Sequence, residues 1–444
     1  MFIILAVFIF VFSSVLSAEE QNSGAGLAQM LLKMDDTDWD TLGSEDVPLE
    51  QQIEPVLAGL YKLQHTVPAS FLKTGVFRPF PDKGGLPLSA LAEDPSQFRG
   101  KIFELKGDAV HVQELPLNPV QQKEYKSPAY YRCKITIGEN TAEVLTFFVP
   151  AEWKRNEAIR EHVLLRGIYI KRENGKQLTP LLLSPKIEWY PNTFLGNLGF
   201  DVSSLEQVPA LNIAALKNKD LQLPERKEIL QRAFKFTAAD RDPFYGLLKA
   251  LSALPAGRLE QEARSENKTN SITVADLFLK PAETRGKPVL LNGTAKRVVL
   301  TPVEDKEVQT LYGIDKYYQI YLYPKESQGN PLVVCVRSLP AGMPAGSDSD
   351  YAEEISVAAV PYKLWIYESA EKLEGKDGNK PGYAPLLIGR SPVWLPKTKP
   401  AEKVAPPSPA LFYASFAVMF AVWFLLRAYR RRAIHKNIEF KLKK

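Results

Sequence analysis

The sequence predicts an α+β chain. Two tandem five-stranded β-barrels, each preceded by helices, are followed by a single C-terminal transmembrane helix. Three observations carry this expectation. The chain of 444 residues writes one pattern twice. In each copy the apolar alternation changes phase near a glycine, as a bent strand requires. The run Ala410 to Leu426 carries no charge and ends on a basic tail.

The first copy opens Pro95-x-x-x-Arg99-Gly100-Lys101, with Gly107 eight residues after the arginine. The second opens Pro281-x-x-x-Arg285-Gly286-Lys287, with Gly293 at the same offset. Each runs on to a tyrosine pair, Tyr130-Tyr131 and Tyr317-Tyr318. Each closes on Pro-Leu-Leu and Trp-x-Pro: Pro180, Trp189 and Pro191 against Pro385, Trp394 and Pro396. From Arg99 to Arg285 the period is 186 residues.

Taken in order, residues 1–18 are uncharged and apolar and end on Ser17-Ala18 before Glu19-Glu20, as a secretory signal peptide does; an uncleaved N-terminal anchor is the alternative. Residues 19–90 form an acidic segment and a helix. Asp36, Asp38 and Asp40 fit positions 1, 3 and 5 of a calcium loop, but Thr41 and Val47 stand where glycine and a bidentate glutamate are needed, so the acids read as solvated. Ile53, Leu57, Leu60 and Tyr61 recur at helical spacing over Glu50–Leu63, with Pro55 in the first turn. The second copy repeats the device: Asp240 is the expected N-cap, Pro243 follows, and Tyr245, Leu247, Leu248 and Leu251 share a face.

The first barrel is expected over 91–196. Its strands are Lys101–Gln113, Tyr130–Ile137, Ala142–Val149, Val163–Lys171 and Leu181–Trp189, with a short helix over Ala151–His162. A helical spacer covers 197–275, including a helical stretch over Phe200–Lys235. The second barrel occupies 276–396, with strands at Tyr317–Tyr323, Leu332–Val336, Ile355–Tyr367 and Leu386–Trp394 and a loop over Ser338–Glu354 in place of the helix. In the first strand of each copy, apolar residues move from odd positions (Phe103, Leu105; Val289, Leu291) to even ones (Val110, Val112; Val298, Leu300). A β-bulge at Gly107 and Gly293 accounts for the change.

A proline-rich stalk, 397–409, leads to the transmembrane helix, 410–426. Tyr413 and Trp423 sit where interfacial rings prefer to lie. The basic tail, 427–444, places the C-terminus in the cytoplasm and the N-terminal ectodomain in the periplasm or outside the cell. The tail holds eight of the 56 Lys and Arg and one of the 51 acids, leaving 48 basic and 50 acidic residues, a net of −2. That balance argues against nucleic acid, which needs a clustered positive surface.

The bulged first strand and the order of strands resemble OB-fold domains, over roughly 100 to 120 residues in each copy by that topology. The second copy departs by its missing helix, which leaves a partly opened or SH3-like barrel as the alternative there. The duplicated Arg-Gly-Lys…Gly…Tyr-Tyr…Pro-Leu-Leu pattern also resembles membrane-anchored secreted proteins of planctomycete type. That resemblance implies a cell-envelope location and brings no activity with it.

The candidate ligand-binding residues are Tyr130, Tyr131, Tyr317 and Tyr318, because one ring of each pair must face outward from its strand and aromatics on such a face stack on ligands. Arg99 and Arg285 are the candidate anion anchors; pairing with a neighbouring acid is their structural alternative. Trp189 and Trp394 read as closing the barrel end, and Cys133 and Cys335 as buried small apolar residues. No nucleophile–base motif, phosphate loop or zinc spacing occurs, so no metal or cofactor is expected. The expectation is a non-enzymatic module that binds or scaffolds an envelope protein or glycan. Single-stranded nucleic-acid binding, or a hydrolase with a site assembled between the barrels, are the alternatives.

Overall fold

In the computed structural model, residues 48–66, 77–80, 88–174, 178–209, 236–372, 379–396 and 409–442 are described. The signal-peptide segment, the aspartates near Asp36, most of Phe200–Lys235 and the proline-rich stalk lie outside them. Helix α1 (Ile53–Thr66) buries Val56, Leu57, Leu60 and Leu63, four aliphatic side chains worth about 1.5–3 kcal/mol each. A short strand β1 (Phe77–Phe80) and helices α2 (Leu88–Glu93) and α3 (Pro95–Phe98) lead into β2 (Ile102–Pro116). Then come α4 (Pro119–Tyr125), β3 (Ala129–Ile137), β4 (Asn140–Thr146), β5 (Ala158–Asn174), β6 (Leu178–Leu183), β7 (Ile187–Trp189) and α5 (Phe194–Asn197).

The second unit repeats this order. Helices α6 (Ala238–Ser252), α7 (Arg258–Asn270), α8 (Val274–Leu279) and α9 (Pro281–Thr284) precede β8 (Val289–Pro302). They are followed by α10 (Lys306–Tyr312), β9 (Lys316–Tyr323), β10 (Leu332–Val336), β11 (Glu353–Lys372), β12 (Asn379–Gly389) and β13 (Val393–Leu395). The sheets run β1-β2-β3-β4-β6-β5-β7 and β12-β10-β9-β8-β11-β13, with added pairings β2–β5 and β12–β11 that close five strands of each sheet on themselves. Within each ring β4–β6 and β10–β12 are parallel. These are tandem β units with one apolar core inside each ring and a second core between its outer face and a helix: α1 in the first unit, α6 in the second.

Several expectations are corrected. Ala151–His162 is not a helix: β5 begins at Ala158 and pairs with β2, and its charged residues line the exposed side of a strand. The helix of each ring lies instead after its first strand, α4 between β2 and β3 and α10 between β8 and β9, so the second unit has its helix too. Asn118 caps α4 and Asp305 caps α10. The last strand of each unit is broken at Pro185 and Pro392 into β6–β7 and β12–β13. Thr237 rather than Asp240 is the N-cap of α6; Asp240 closes the capping box from the third helical position. The phase change in β2 and β8 is present, but the register shifts fall at Ala109/His111 and Ala295/Arg297. Gly107 and Gly293 answer a different need. A Cβ would lie 2.2 Å from the Thr136 carbonyl oxygen at Gly107 and 2.6 Å from that of Tyr323 at Gly293.

A second bulge, in β5 and β11, explains the repeated Arg-Gly. The register shifts between Tyr169 and Lys171 and between Pro361 and Lys363. Gly100 N donates to the Tyr169 carbonyl (2.8 Å) and Arg99 Nε to the Ile170 carbonyl (3.3 Å). Gly286 N and Arg285 Nε serve Pro361 (3.0 Å) and Tyr362 (2.8 Å) in the same way. Both glycines have φ near +80°, which a side chain disfavours. The bulge turns the next residue, a lysine in both units, toward the helix. Lys171 Nζ donates to Gln52 Oε1 at 2.9 Å, and Lys363 Nζ to both oxygens of Asp240 at 2.8 and 3.0 Å. Tyr125 and Tyr312 add matching hydroxyl bonds to Glu54 (3.3 Å) and Asp242 (2.8 Å).

The C-terminal unit, Pro396–Lys444, contains helix α11 (Pro409–Leu442). Its side chains are described at Tyr413 and 415–430, and among the described residues no helix is long and apolar enough to cross a membrane.

Two sets of substitutions probe these contacts. Gly107→Ala and Gly293→Ala force a strand backbone aside and should each destabilise by about 1–3 kcal/mol, read as a lower midpoint in urea; wild-type midpoints would show that close approach is not why glycine stands there. Lys363→Met leaves the Asp240 carboxylate buried and unpaired and should cost about 3–5 kcal/mol. Adding Asp240→Asn should recover most of that loss, since the helix cap keeps its acceptor; a double variant as unstable as the single one would refute the ion-pair account.

Candidate ligand-binding face

The six residues expected from sequence are placed first by the fold. Arg99 and Arg285 bracket the β5 and β11 bulges through backbone carbonyls. Arg285 Nη1 also donates to Leu205 and Val208 carbonyls at 2.8 and 3.0 Å, while its buried Nη2 has no hydrogen-bond partner among the described residues. Burial holds the Arg285 guanidinium below its ordinary pKa, opposed by Tyr362 and Asp240. Both guanidinium groups thus donate to backbone carbonyls of the bulged strands. Tyr130 and Tyr317 face outward against the helix-covered cores. The Tyr317 ring lies 5.5 Å from Phe244, and burial raises the pKa of its phenol. Tyr131 and Tyr318 pack against the ring interiors, with the Arg155 guanidinium 5.3 Å from the Tyr131 centroid. All four are half-buried packing residues.

The tryptophans and cysteines are structural too. Trp189 Nε1 donates to Glu161 (2.7 Å) and Trp394 Nε1 to Glu353 (2.8 Å) at matching places. Cys133 and Cys335 are free and buried, and burial raises both thiol pKa values. His162 Nδ1 lies 2.5 Å from Asp108 Oδ1 across β2 and β5. Thr294 and Glu354 fill the same cross-strand places in the second unit at 2.6 Å, which marks the pair as a sheet contact. Among the described residues no His, Cys, Asp and Glu group fits a metal ion.

What sequence reasoning missed lies further along β9. Its outward row runs Tyr317, Gln319, Tyr321, Tyr323, while Ile320 and Leu322 point into the ring. The β8 bulge places two consecutive side chains, Lys296 and Arg297, on the exposed side. Lys296 Nζ sits 4.7 Å from the Tyr323 ring centroid and Arg297 Cζ 5.1 Å from that of Tyr321. Burial raises both phenol pKa values. In the first unit the same bulge carries Val110 and His111, and the row is Tyr130, Arg132, Lys134, Thr136, with Arg132 held by Glu143. The signal is present in sequence as Tyr317-Tyr-Gln-Ile-Tyr-Leu-Tyr323, an aromatic alternation of period two that the first copy lacks.

No protein-family model matches the chain, and no curated protein matches it. Similar solved structures include a putative aspartyl-tRNA synthetase from Leishmania major Friedlin, at 11% identity and TM-score 0.17 over 55% of this chain and 49% of that one. The asparaginyl-tRNA synthetase of Entamoeba histolytica in complex with asparaginyl-adenylate matches at 12% and 0.15 over 55% and 51%. The aspartyl-tRNA synthetase of Entamoeba histolytica matches at 8% and 0.18 over 57% and 55%. The chain spans about half the length of these proteins. Likeness at that level does not establish a shared fold.

Proposed function

We propose that this chain is a non-enzymatic, membrane-anchored protein of the cell envelope, whose tandem OB-like barrels hold a protein or glycan partner on the face of the second barrel. The OB-like reading rests on the closed strand order, with the third and fifth strands of each ring parallel. The binding reading rests on one observation: the β8 bulge sets two cations over Tyr321 and Tyr323, half-buried rings on the outward row of β9. Rings held this way present a flat, amphipathic surface that stacks on ring-bearing groups. The first barrel, with the same fold, lacks the arrangement, so folding does not demand it.

The same face suits single-stranded nucleic acid, where stacking and basic side chains act together. This is the second reading, opposed by the net of −2 outside the tail. For the anchor, Phe416, Val418, Met419, Phe420, Val422 and Trp423 all expose half or more of their surface. A helix apolar on every side needs lipid or protein around it. In the uncharged run and the basic tail, the described side chains are Tyr413 and 415–430.

Two measurements test the proposal. Full-length protein in detergent, used as bait on solubilised envelope material, should retain a partner, and Tyr321→Ala with Tyr323→Ala should weaken retention tenfold or more, at about 1–3 kcal/mol per stacking ring. Equal retention by the variant would remove the site, and oligonucleotide binding that falls steeply with salt would favour the second reading. Carbonate-washed membranes should keep the wild type and lose Val418→Arg/Val422→Arg, given about 2.5–3.5 kcal/mol per central arginine; release of the wild type would overturn the anchor.

A further inference from the structure

Beside the β8 bulge the second unit carries two charges that no acid of the chain answers. The ladders align the two units residue by residue. Val112 pairs with Cys133 as Val298 pairs with Ile320, so Arg132 corresponds to Gln319. On the next strand Lys134 opposes Glu143 as Tyr321 opposes Val333. In the first unit acids stand among the cations of this face. Arg132 is held by Glu143. Asp108, just before the bulge, lies against His162 Nδ1 and pairs with Arg160 at 3.5 Å. In the second unit Val333 and Thr294 occupy the places of Glu143 and Asp108. Gln319 and Tyr321 replace the β3 cations, and Lys296 and Arg297 stand on the bulge in place of Val110 and His111.

The side-chain contacts of Lys296 and Arg297 are the Tyr323 and Tyr321 rings. Among the described residues no ion pair or side-chain hydrogen bond reaches either cation. Both are exposed, and two like charges side by side repel, so an anion between them relieves that repulsion. Glu354 remains at the rim, where Thr294 Oγ1 donates to it at 2.6 Å.

The surroundings limit what that anion belongs to. At Tyr321, β9 is paired with β8 on one side and β10 on the other. No strand edge is open there for an extended peptide to join, and a ligand on this face meets side chains alone. The outward row is neutral and hydrogen-bonding: Tyr317, Gln319, Tyr321 and Tyr323, with Gln319 Nε2 donating to the Tyr317 hydroxyl at 3.3 Å. A polyanion tracks a groove lined with positive charge, whereas here two cations stand together with an acid nearby. One negative group on a neutral ring rich in hydroxyls is the chemistry that matches.

We propose that the partner held on this face is an acidic glycan, with the carboxylate of one sugar between Lys296 and Arg297 and the hydroxyls of its neighbours along Gln319, Tyr321 and Tyr323. This rests on the binding reading of the same face and names its ligand. A guanidinium donates two parallel bonds to a carboxylate, and Lys296 adds a second charge. The rings beneath hold both cations over the face, which leaves less freedom to lose on binding.

Full-length protein in detergent, applied to an array of carboxylated oligosaccharides printed beside their neutral methyl esters and a single-stranded oligonucleotide, tests this. At least one acid should bind roughly tenfold tighter than its own ester. Lys296→Gln with Arg297→Gln should bring acid and ester level, with an unchanged melting temperature because both side chains are exposed. Lys296→Arg with Arg297→Lys should keep the preference, and Tyr321→Ala with Tyr323→Ala should weaken acid and ester together. No acid preferred over its ester, a preference that survives the glutamine pair, or an oligonucleotide bound above every acid would each overturn the acidic glycan. The envelope-binding reading fails separately, when the tyrosine variant retains its envelope partner as well as wild type does. A partner lost with the tyrosines but kept by the glutamine pair leaves that reading standing and overturns this one.

Discussion

The bulge in β5 and β11 is the constraint on which the rest of each unit depends. Inserting one residue, Ile170 or Tyr362, bends the strand so that it serves two neighbours and leaves carbonyls pointing away from the ladder. Buried carbonyls without donors are costly, and the glycine N–H and arginine Nε at the foot of β2 and β8 supply the donors. The same insertion delivers a lysine to the helix side. There its ammonium is almost fully enclosed in the second unit, at 1% side-chain exposure for Lys363, and needs a fixed acceptor. Asp240 provides it while also capping its own helix through Thr237. Sheet closure, helix docking and helix capping therefore share two or three side chains, and one substitution there loosens all of them.

Once that frame is fixed in both copies, differences between them are free of the folding requirement. The β2 and β8 bulges make this plain. Each needs an extra residue to bend its strand, but nothing in the bend dictates which side chains the extra position exposes. The first unit shows Val110 and His111 there, the second Lys296 and Arg297, and only the second has aromatic rings within reach. A bulge is a common way to re-aim side chains at a site. Here it turns two cations onto rings that an unbroken alternation would have left beside one cation only.

Much of the frame is legible in the residues themselves. The repeated Arg-Gly, the glycine offset and the tyrosine pair locate both units and the helix ahead of each. The charged stretch before His162 misleads because strands and helices both carry charge on an exposed side, and its short, irregular spacing does not separate period two from period 3.6. Asn118-Pro119 resembles a turn, although a cap followed by proline at the first position also opens a helix. Tyr321 and Tyr323 escape notice for a different reason. Comparison of the copies draws attention to what both retain, and the rings with cations above them exist in one copy alone. Contacts between distant segments, such as Lys186 with Asp201 or Arg285 with Leu205 and Val208, have no local sequence signature.

The junction between the β units joins an apolar cluster to polar side chains: Leu195, Phe200, Leu205 and Val208 share one buried cluster with Phe244, Leu247 and Leu251 of α6. Two units on one chain are held at high effective concentration by their linker, so a contact between them need not supply much free energy of its own. Polar and charged groups around that cluster then fix orientation, because Glu188, Asp201 and Asp242 each accept bonds of defined geometry.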